Sequence, residues 1–256
     1  MKLTVLGCSG GIGGPHLATT SLLVDDDILI DAGTGVCTLD VQALARIDRI
    51  FLTHAHLDHI AGLPLLLDSV MELRNGPVQV HAIPEVIAAL QAHVFNDLIW
   101  PDFSSIPSKE KPIVVFSPLP AEGCMALGGG RTLRTLPARH TVPAVGYWLD
   151  SGQGSLVFSG DTTVNPDFWP LVNRIGNLQH LLIECAFPNQ EDWLARRSLH
   201  LCPSLLVEEL AQLEHPCRVY ISHLKPSQGE LTMREIADSL PEWQPIRLEQ
   251  GQEIEF

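Results

Sequence analysis

The chain opens with short apolar runs that are separated by turn residues. Residues 2–6, 20–24 and 28–31 are predicted as strands, because each is rich in aliphatic and β-branched side chains and ends at glycine or aspartate. A glycine-rich loop at 7–14 follows the first strand, and a turn at 25–27 joins the second strand to the third. The pattern indicates a meander that begins a β-sheet.

Strands and helices alternate along the rest of the chain. Their hydrophobic periods change between two and about 3.6 residues. The predicted strands lie at 50–53, 78–83, 113–117, 131–137, 145–149, 155–159, 180–183 and 218–222, with short extended pieces at 246–248 and 253–256. The predicted helices lie at 41–46, 60–73, 84–95, 203–213 and 232–240. Strand-rich halves that each end in helices predict an α/β fold, an αββα four-layer sandwich.

The length of 256 residues is compatible with one domain over residues 1–256. The segment 96–112 contains three prolines and no hydrophobic period, so we interpret it as a surface insertion.

Composition narrows the classes of function. Hydrophobic residues make up 45% of the chain and charged residues 18%, which favours a folded core. The formal charge of −14 disfavours long nucleic acids as partners, because their binding depends on lysine and arginine. The sequence shows neither a membrane span nor a signal-peptide core, and its six cysteines are dispersed, so a cytoplasmic protein with reduced thiols is expected.

The strongest chemical signal is the run from Thr53 to His59, at the junction of a predicted strand and a helix. His54, His56, Asp58 and His59 offer four potential ligands within six positions. Imidazole and carboxylate groups suit Zn²⁺, and one tight turn can direct them at two ions. A solvated polar turn is the alternative, and the position directly after a buried strand argues against it.

Three further candidate ligands follow other predicted strands: His140, Asp161 and His223. We assign one zinc to three histidines and the other to the remaining side chains, with Asp161 bridging both ions. The first set is His54, His56 and His140, and the second is Asp58, His59 and His223. This assignment leaves an open position for water, and Mn²⁺ or Fe²⁺ in place of one or both zinc ions stays an alternative.

The order of these ligands resembles that of the metallo-β-lactamase superfamily. More narrowly, five segments resemble class II 3′,5′-cyclic nucleotide phosphodiesterases. They are 54–63 (HAHLDHIAGL), 95–103 (FNDLIWPDF), 183–188 (IECAFP), 200–210 (HLCPSLLVEEL) and 221–226 (ISHLKP). The resemblance implies hydrolysis of cyclic AMP or cyclic GMP to the 5′-monophosphate, with a small cyclic nucleotide as the partner. A second copy of the chain, forming a homodimer, is a further partner to consider.

Two zinc ions would share a bridging water and lower its pKa toward neutrality, which gives a hydroxide nucleophile. Asp58 is a candidate for orienting that water as well as for binding zinc. His200 is the candidate general acid, because its place is similar to that of a catalytic histidine in RNA-processing members of the superfamily. Glu184 is expected to orient His200. A capping role for the histidine and a plain strand-end role for the glutamate stay open.

Three residues are candidates for contact with substrate. Lys225 lies two residues after His223 and is a candidate for binding a phosphate oxygen, although a solvated lysine is the commoner outcome. Trp100 and Phe103 are candidates for stacking on a purine, and the alternative is that they anchor the insertion to the core. The glycine-rich loop is interpreted as backbone that passes close to the metal pocket.

Three other functions remain to be distinguished from a cyclic nucleotide phosphodiesterase. An RNA 3′-end-processing phosphodiesterase resembling tRNase Z, or another hydrolase of the same fold, would use the same ligands. A structural zinc-binding protein would have the metals but no reaction, and an open coordination position argues against it.

Overall fold

The polypeptide forms two mixed β-sheets that pack face to face. The computed structural model describes residues 1–120 and 123–256. The strands are β1 (Lys2–Gly7), β2 (Ser21–Val24), β3 (Ile28–Ile30), β4 (Arg49–Phe51), β5 (Val78–Ala82), β6 (Pro107–Ser108), β7 (Lys111–Pro112), β8 (Val114–Pro118), β9 (Cys124–Gly128), β10 (Arg131–Pro137), β11 (Val145–Asp150), β12 (Ser155–Phe158), β13 (Leu178–Glu184), β14 (Arg218–Ser222), β15 (Ile246–Arg247) and β16 (Glu253–Glu255). The first sheet has the order β16-β1-β2-β3-β4-β5-β8, and the second has the order β15-β14-β13-β12-β11-β10-β9.

Helices cover the outer faces of both sheets. They are α1 (Val41–Arg46), α2 (Leu57–Ile60), α3 (Leu63–Val70), α4 (Pro84–His93), α5 (Trp169–Val172), α6 (Asp192–Ser198), α7 (Pro203–Leu210) and α8 (Gly229–Ser239). Several helices begin at residues that favour a helix start. Asp40 caps α1 by accepting from the amide of Ala43, and Pro84 and Pro203 occupy the first turns of α4 and α7. Across the described residues, no helix is both long enough and apolar enough to cross a bilayer.

Side chains alternate between two apolar cores along the central strands. On β12 and β13, Leu156, Phe158 and Leu182 belong to a core that also contains α3 and α4 and the first sheet. Their neighbours Val157 and Leu181 belong to a second core, against helices α5 to α8. Because both faces of these strands are buried, the strands read as continuous apolar runs. The four layers confirm the predicted αββα sandwich.

Several predicted boundaries were wrong. The helix expected at 60–73 is the shorter α3, which has Pro64 in its first turn, and a separate helix that was not predicted, α2, ends at Ile60, with Gly62 between the two. The 96–112 segment, expected to be irregular, contains the β6–β7 hairpin. Strand β9 and helices α5 and α6 were missed. They are short, and four-residue α5 has too few positions to display a helical period.

Parallel pairing brings the ends of several strands together. β3, β4, β5 and β8 run parallel, as do β12, β13, β14 and β15. Because carboxyl ends of parallel strands lie at one edge of a sheet, the residues that follow β3, β4, β12, β13 and β14 are brought to the same edge of the sandwich.

A group of ion pairs joins the two sheets on another side. Arg131 on β10 donates to Asp25 and Asp27 in the β2–β3 turn, and Arg49 on β4 donates to Asp27 and to the carbonyl of Leu127. Partial burial raises the pKa of Asp27, but the hydrogen bonds and charges of the two arginines outweigh it and hold the pKa below its usual value. The Asp27 carboxylate therefore stabilises the contact between the sheets.

We expect Asp27→Asn to lower the free energy of unfolding by about 1 kcal/mol at pH 7, as measured by urea denaturation. A lowered native pKa contributes stability that is complete above the unfolded pKa and is lost as the pH falls through the native one. The difference between wild type and variant should therefore be constant from about pH 7 to 5 and shrink below about pH 4. Asp26→Asn is the matched control, since the Asp26 side chain is 69% exposed in the same turn. Equal losses in both variants would contradict the role of Asp27.

Candidate metal centre

Two groups of imidazoles and carboxylates meet at the edge where the parallel strands end. The ligand atoms of each group lie within 4.8 Å of one another. One group is His54, His56 and His140, and the other is Asp58, His59, Asp161 and His223. The structure thus brings together all seven side chains for which the sequence predicts metal binding.

Asp161 connects the two groups. Its Oδ2 atom lies 3.3 Å from Nε2 of His59, 3.6 Å from Nε2 of His54 and 4.0 Å from Nε2 of His140. Its Oδ1 atom lies 3.1 Å from Nδ1 of His223. A carboxylate that faces both groups has the geometry of a bridging ligand.

The local chain explains why the first histidines converge. β4 ends at Phe51, and His54 follows in a loop whose backbone accepts from the other sheet: the amide of Val145 donates to the carbonyl of Thr53. The Tyr147 hydroxyl of the second sheet donates to the carbonyl of Leu52 at 2.6 Å. The start of the histidine motif is therefore fixed by both sheets.

Asp31 is a site residue that the sequence analysis missed. This fully buried carboxylate follows β3, lies 2.7 Å from Nδ1 of His59, and accepts from the amide and the hydroxyl of Thr53. When Nδ1 of His59 donates to it, the neutral ring presents its Nε2 lone pair to the site. The signal was available, because Asp31 ends an apolar strand in the same way as the predicted ligands.

The ring of His140 is oriented in a comparable way. Its Nδ1 atom lies 3.1 Å from the carbonyl of Leu199, while its Nε2 atom lies 3.1 Å from Nδ1 of His56. Donation from Nδ1 to the carbonyl leaves a lone pair on Nε2, which faces the first group. The orientation suits a metal ligand.

The pKa values of these buried groups shift in opposite directions. It lowers the pKa of His54 and His223 well below the usual value and that of His140 to about 4, so these rings are neutral. Burial also disfavours the charged form of His59, but Asp161 and Asp31 raise its pKa well above normal. For Asp161, burial opposes ionisation and the imidazoles of His223, His59 and His54 outweigh it, so the pKa falls well below normal.

Buried histidine nitrogens without a hydrogen-bond partner indicate whether the site fits a metal ion. Within residues 1–120 and 123–256, Nε2 of His54, Nε2 of His59 and both ring nitrogens of His223 are buried without a hydrogen-bond partner. Leaving such a group unsatisfied costs about 1–3 kcal/mol. Nitrogens of this kind, directed at carboxylates from two sides, are the donor set that divalent transition metals prefer, and the residues fit such ions.

His200 and Glu184 lie beside the two groups. Nδ1 of His200 is 2.6 Å from the Glu184 carboxylate, which is fully buried and also accepts from the amides of Thr162 and Leu201. The His200 ring stacks on His223 with centroids 5.0 Å apart. Burial disfavours its protonation, but Glu184 outweighs burial and raises the pKa of His200. A ring nitrogen of His200 also lies within 4.8 Å of ligand atoms of His140 and Asp161.

The three predicted substrate contacts lie in different environments. Lys225 is half-buried, and its ammonium donates to the carbonyl of Gly10 at 2.7 Å. Phe103 is 4% exposed within the first core, with its ring 6.2 Å from that of Phe95. Protein atoms cover this ring, which favours the alternative that Phe103 anchors the 96–112 segment to the core. Trp100 is partly buried and packs against the same core.

Comparison with known proteins identifies the family. The family model for the β-lactamase superfamily domain matches residues 26–224. The chain belongs to the metallo-β-lactamase superfamily. The crystal structure of unliganded yeast PDE1 superposes with a TM-score of 0.84 at 20% identity, covering 100% of this chain and 99% of that one, which shows that the two share a fold.

Two curated relatives within this superfamily have different activities. The 3′,5′-cyclic-nucleotide phosphodiesterase 1 of Saccharomyces cerevisiae is 39% identical over 195 residues, which cover 67% of this chain and 52% of the relative. Ribonuclease Z of Bradyrhizobium diazoefficiens is 32% identical over 152 residues, which cover 54% of this chain and 46% of the relative. The chain thus matches about half the length of these proteins. It resembles the class II cyclic nucleotide phosphodiesterases, as its motifs predicted.

We expect metal to raise the melting temperature of chelator-treated protein, because it satisfies the orphan nitrogens of the site. At a free metal concentration of 100 times Kd, the stabilisation is about 2.7 kcal/mol for each site. Differential scanning calorimetry with and without Zn²⁺ measures it. In His56→Ala the metal-dependent increase should shrink while the metal-free melting temperature changes little, since His56 is half-buried. An exposed histidine on α4, His93, gives the matched control His93→Ala. Identical melting curves with and without metal would contradict the assignment.

Proposed function

We propose that this chain is a metal-dependent phosphodiesterase that hydrolyses 3′,5′-cyclic nucleotides to 5′-monophosphates. The observation that carries the proposal is the pair of ligand groups with Asp161 facing both, and with the His200–Glu184 pair beside them. The 39% identity to a yeast 3′,5′-cyclic-nucleotide phosphodiesterase supports the choice of substrate.

We infer two Zn²⁺ ions, with Mn²⁺ or Fe²⁺ as alternatives, one held by His54, His56 and His140 and the other by Asp58, His59 and His223, with Asp161 shared. When bound, such ions supply an activated water and Lewis-acid contacts to the phosphate oxygens. The division of the side chains into two groups within 4.8 Å supports this assignment.

Asp58 is proposed to orient the attacking water. Its side chain is 28% exposed, whereas Asp161 is 3% exposed, so Asp58 is the more accessible carboxylate of the site. Its Oδ2 atom lies 3.8 Å from Nε2 of His223 and 3.9 Å from Nε2 of His59. A carboxylate so placed can accept a hydrogen bond from water that approaches the phosphorus.

His200 is proposed to give a proton to the departing 3′-oxygen. The oxygen of water adds to phosphorus while its proton leaves toward the Asp58 carboxylate, the bond from phosphorus to the 3′-oxygen breaks, and the proton from His200 completes the 3′-hydroxyl. The Glu184 carboxylate favours the imidazolium form that this step requires and fixes the ring through Nδ1. Glu184 itself touches no substrate and acts by positioning His200.

The nucleoside part is proposed to extend into a cavity of about 1220 Å³ that borders His140. Pro84, Pro120, Pro143 and Pro170 are among its lining residues. Such rigid apolar walls suit a flat base, and the volume exceeds what a small ligand needs. Trp100 as a stacking residue stays a prediction, and Lys225 as a phosphate contact is the alternative to the positioning role that its bond to Gly10 supports.

A substrate panel tests the function. Metal-replete protein should hydrolyse cyclic AMP or cyclic GMP and leave an unprocessed tRNA intact, and His56→Ala or Asp161→Ala should reduce the rate by at least about 100-fold, because each loses a ligand. Product chromatography measures the rate, and circular dichroism checks the fold. His93→Ala is again the control. Cleavage of only the tRNA would favour an RNA-processing enzyme, and tightly bound metal without any hydrolysis would favour a structural zinc protein.

Substrates with different leaving groups test His200. We expect His200→Ala to slow hydrolysis of a cyclic nucleotide by about 10²- to 10⁴-fold, because an alkoxide departs poorly without a proton. Hydrolysis of an activated aryl phosphodiester should fall far less, since its leaving group needs no acid. Steady-state kinetics of both substrates give the comparison, with His215→Ala as an exposed-histidine control. Equal losses on both substrates would remove His200 from the acid role.

A further inference from the structure

The glycine-rich loop at 7–14 packs directly on the strand end that carries His223. The amide of His223 donates to the carbonyl of Cys8 at 2.8 Å, and the amide of Gly10 donates to the carbonyl of Leu224 at 3.1 Å. These bonds run in both directions between the two segments. The loop and the His223 segment are therefore bonded to each other through their backbones.

Gly10 leaves no room between the loop and the imidazole of His223. A Cβ atom at this position would lie 2.4 Å from the carbonyl oxygen of His223 and 2.7 Å from its Cδ2 atom. Only glycine allows such an approach. The backbone of Gly10 thus forms one wall of the space that the His223 ring occupies.

His223 needs such support because its backbone is strained. Its φ angle is +61°, in the left-handed region that residues other than glycine rarely adopt. A conformation of this kind persists only where the surroundings fix it. Both ring nitrogens of His223 also lack a hydrogen-bond partner among the described residues, so no side chain of residues 1–120 and 123–256 holds the ring by hydrogen bonds.

Lys225 fixes the other backbone group of Gly10. Its ammonium donates to the Gly10 carbonyl at 2.7 Å and lies 5.5 Å from the centroid of the Phe187 ring, over which it sits. The amide of Gly10 donates to Leu224 and its carbonyl accepts from Lys225, so both backbone polar groups of this residue are bonded to the segment that follows His223. A charged donor makes the stronger kind of hydrogen bond.

We propose that Lys225 is a positioning residue that holds Gly10 against His223 and so fixes the ring of His223 for metal binding. In this role the lysine acts on the metal centre through Gly10 and His223, and it does not bind the phosphate of the substrate. The inference rests on the proposed function only for the presence of metal at the group that contains His223.

Metal titration tests the role without any hydrolysis assay. Lys225→Met keeps the aliphatic stem and removes the donor, so we expect the affinity for one of two bound ions to fall about 10- to 100-fold while the other is unchanged. Titration with Co²⁺ should show a changed absorption band for one site only. Lys225→Arg restores a charged donor and should recover most of the affinity. Lys109→Met, in the exposed β6–β7 hairpin, is the matched control.

A second variant keeps the test independent of the lysine. Gly10→Ala adds the Cβ atom that would meet His223, so it should weaken the same ion as Lys225→Met and leave the Co²⁺ band of the other site intact. If both variants bind two ions with wild-type affinity, the proposal is overturned.

Kinetics separate anchoring from direct phosphate binding. Unchanged metal affinity together with a raised KM in Lys225→Met would assign the lysine to the substrate and overturn the proposal. A wild-type protein that binds two ions but hydrolyses no cyclic nucleotide would contradict the proposed function alone, because the titrations of Lys225→Met and Gly10→Ala would still report on the anchoring role.

Discussion

The buried carboxylate of Asp161 is the group on which the rest of the site depends. It carries a negative charge away from water, with imidazoles of His54, His59 and His223 within 3.6 Å of its oxygens. A buried charge without compensation is strongly destabilising, and the neutral imidazoles of His54 and His223 compensate for it only in part. Cations between these groups would satisfy the carboxylate and the unpaired ring nitrogens together. The arrangement is therefore better suited to a metal centre than to the packing of the sandwich.

Hydrogen bonds to residues around the site determine which ring nitrogen of His59, His140 and His200 faces it. Asp31 accepts from His59, the Leu199 carbonyl from His140, and Glu184 from His200. These acceptors come from three different places: the end of β3, the turn after α6 and the end of β13. Each fixes the proton on one nitrogen and leaves the other for the site. The elements around the centre thus set its chemistry as well as its shape.

The parts that the sequence predicted best are those with a strong local signal. The strands that are buried on both faces, and the side chains that directly follow them, could be read from apolar runs ending in histidine or aspartate. Short elements such as α5 and β9 could not, because four or five residues display no reliable period. The sequence left two roles open for Phe103, because an aromatic residue in a proline-rich segment has the same local pattern whether it faces a ligand or the core. The bond from Lys225 to Gly10 spans 215 residues and has no local signature.

Three residues around the centre adopt left-handed backbone angles although none is glycine: Asp31, Leu199 and His223, with φ of +56°, +53° and +61°. Each contributes a group that faces the site or orients a ring in it. Conformations of this kind cost about 1–3 kcal/mol each and depend on the packing around them. The energy that maintains the site therefore comes from the two apolar cores and from contacts such as that of the glycine-rich loop. Substitutions far from the ligands can for this reason alter metal binding before they unfold the chain.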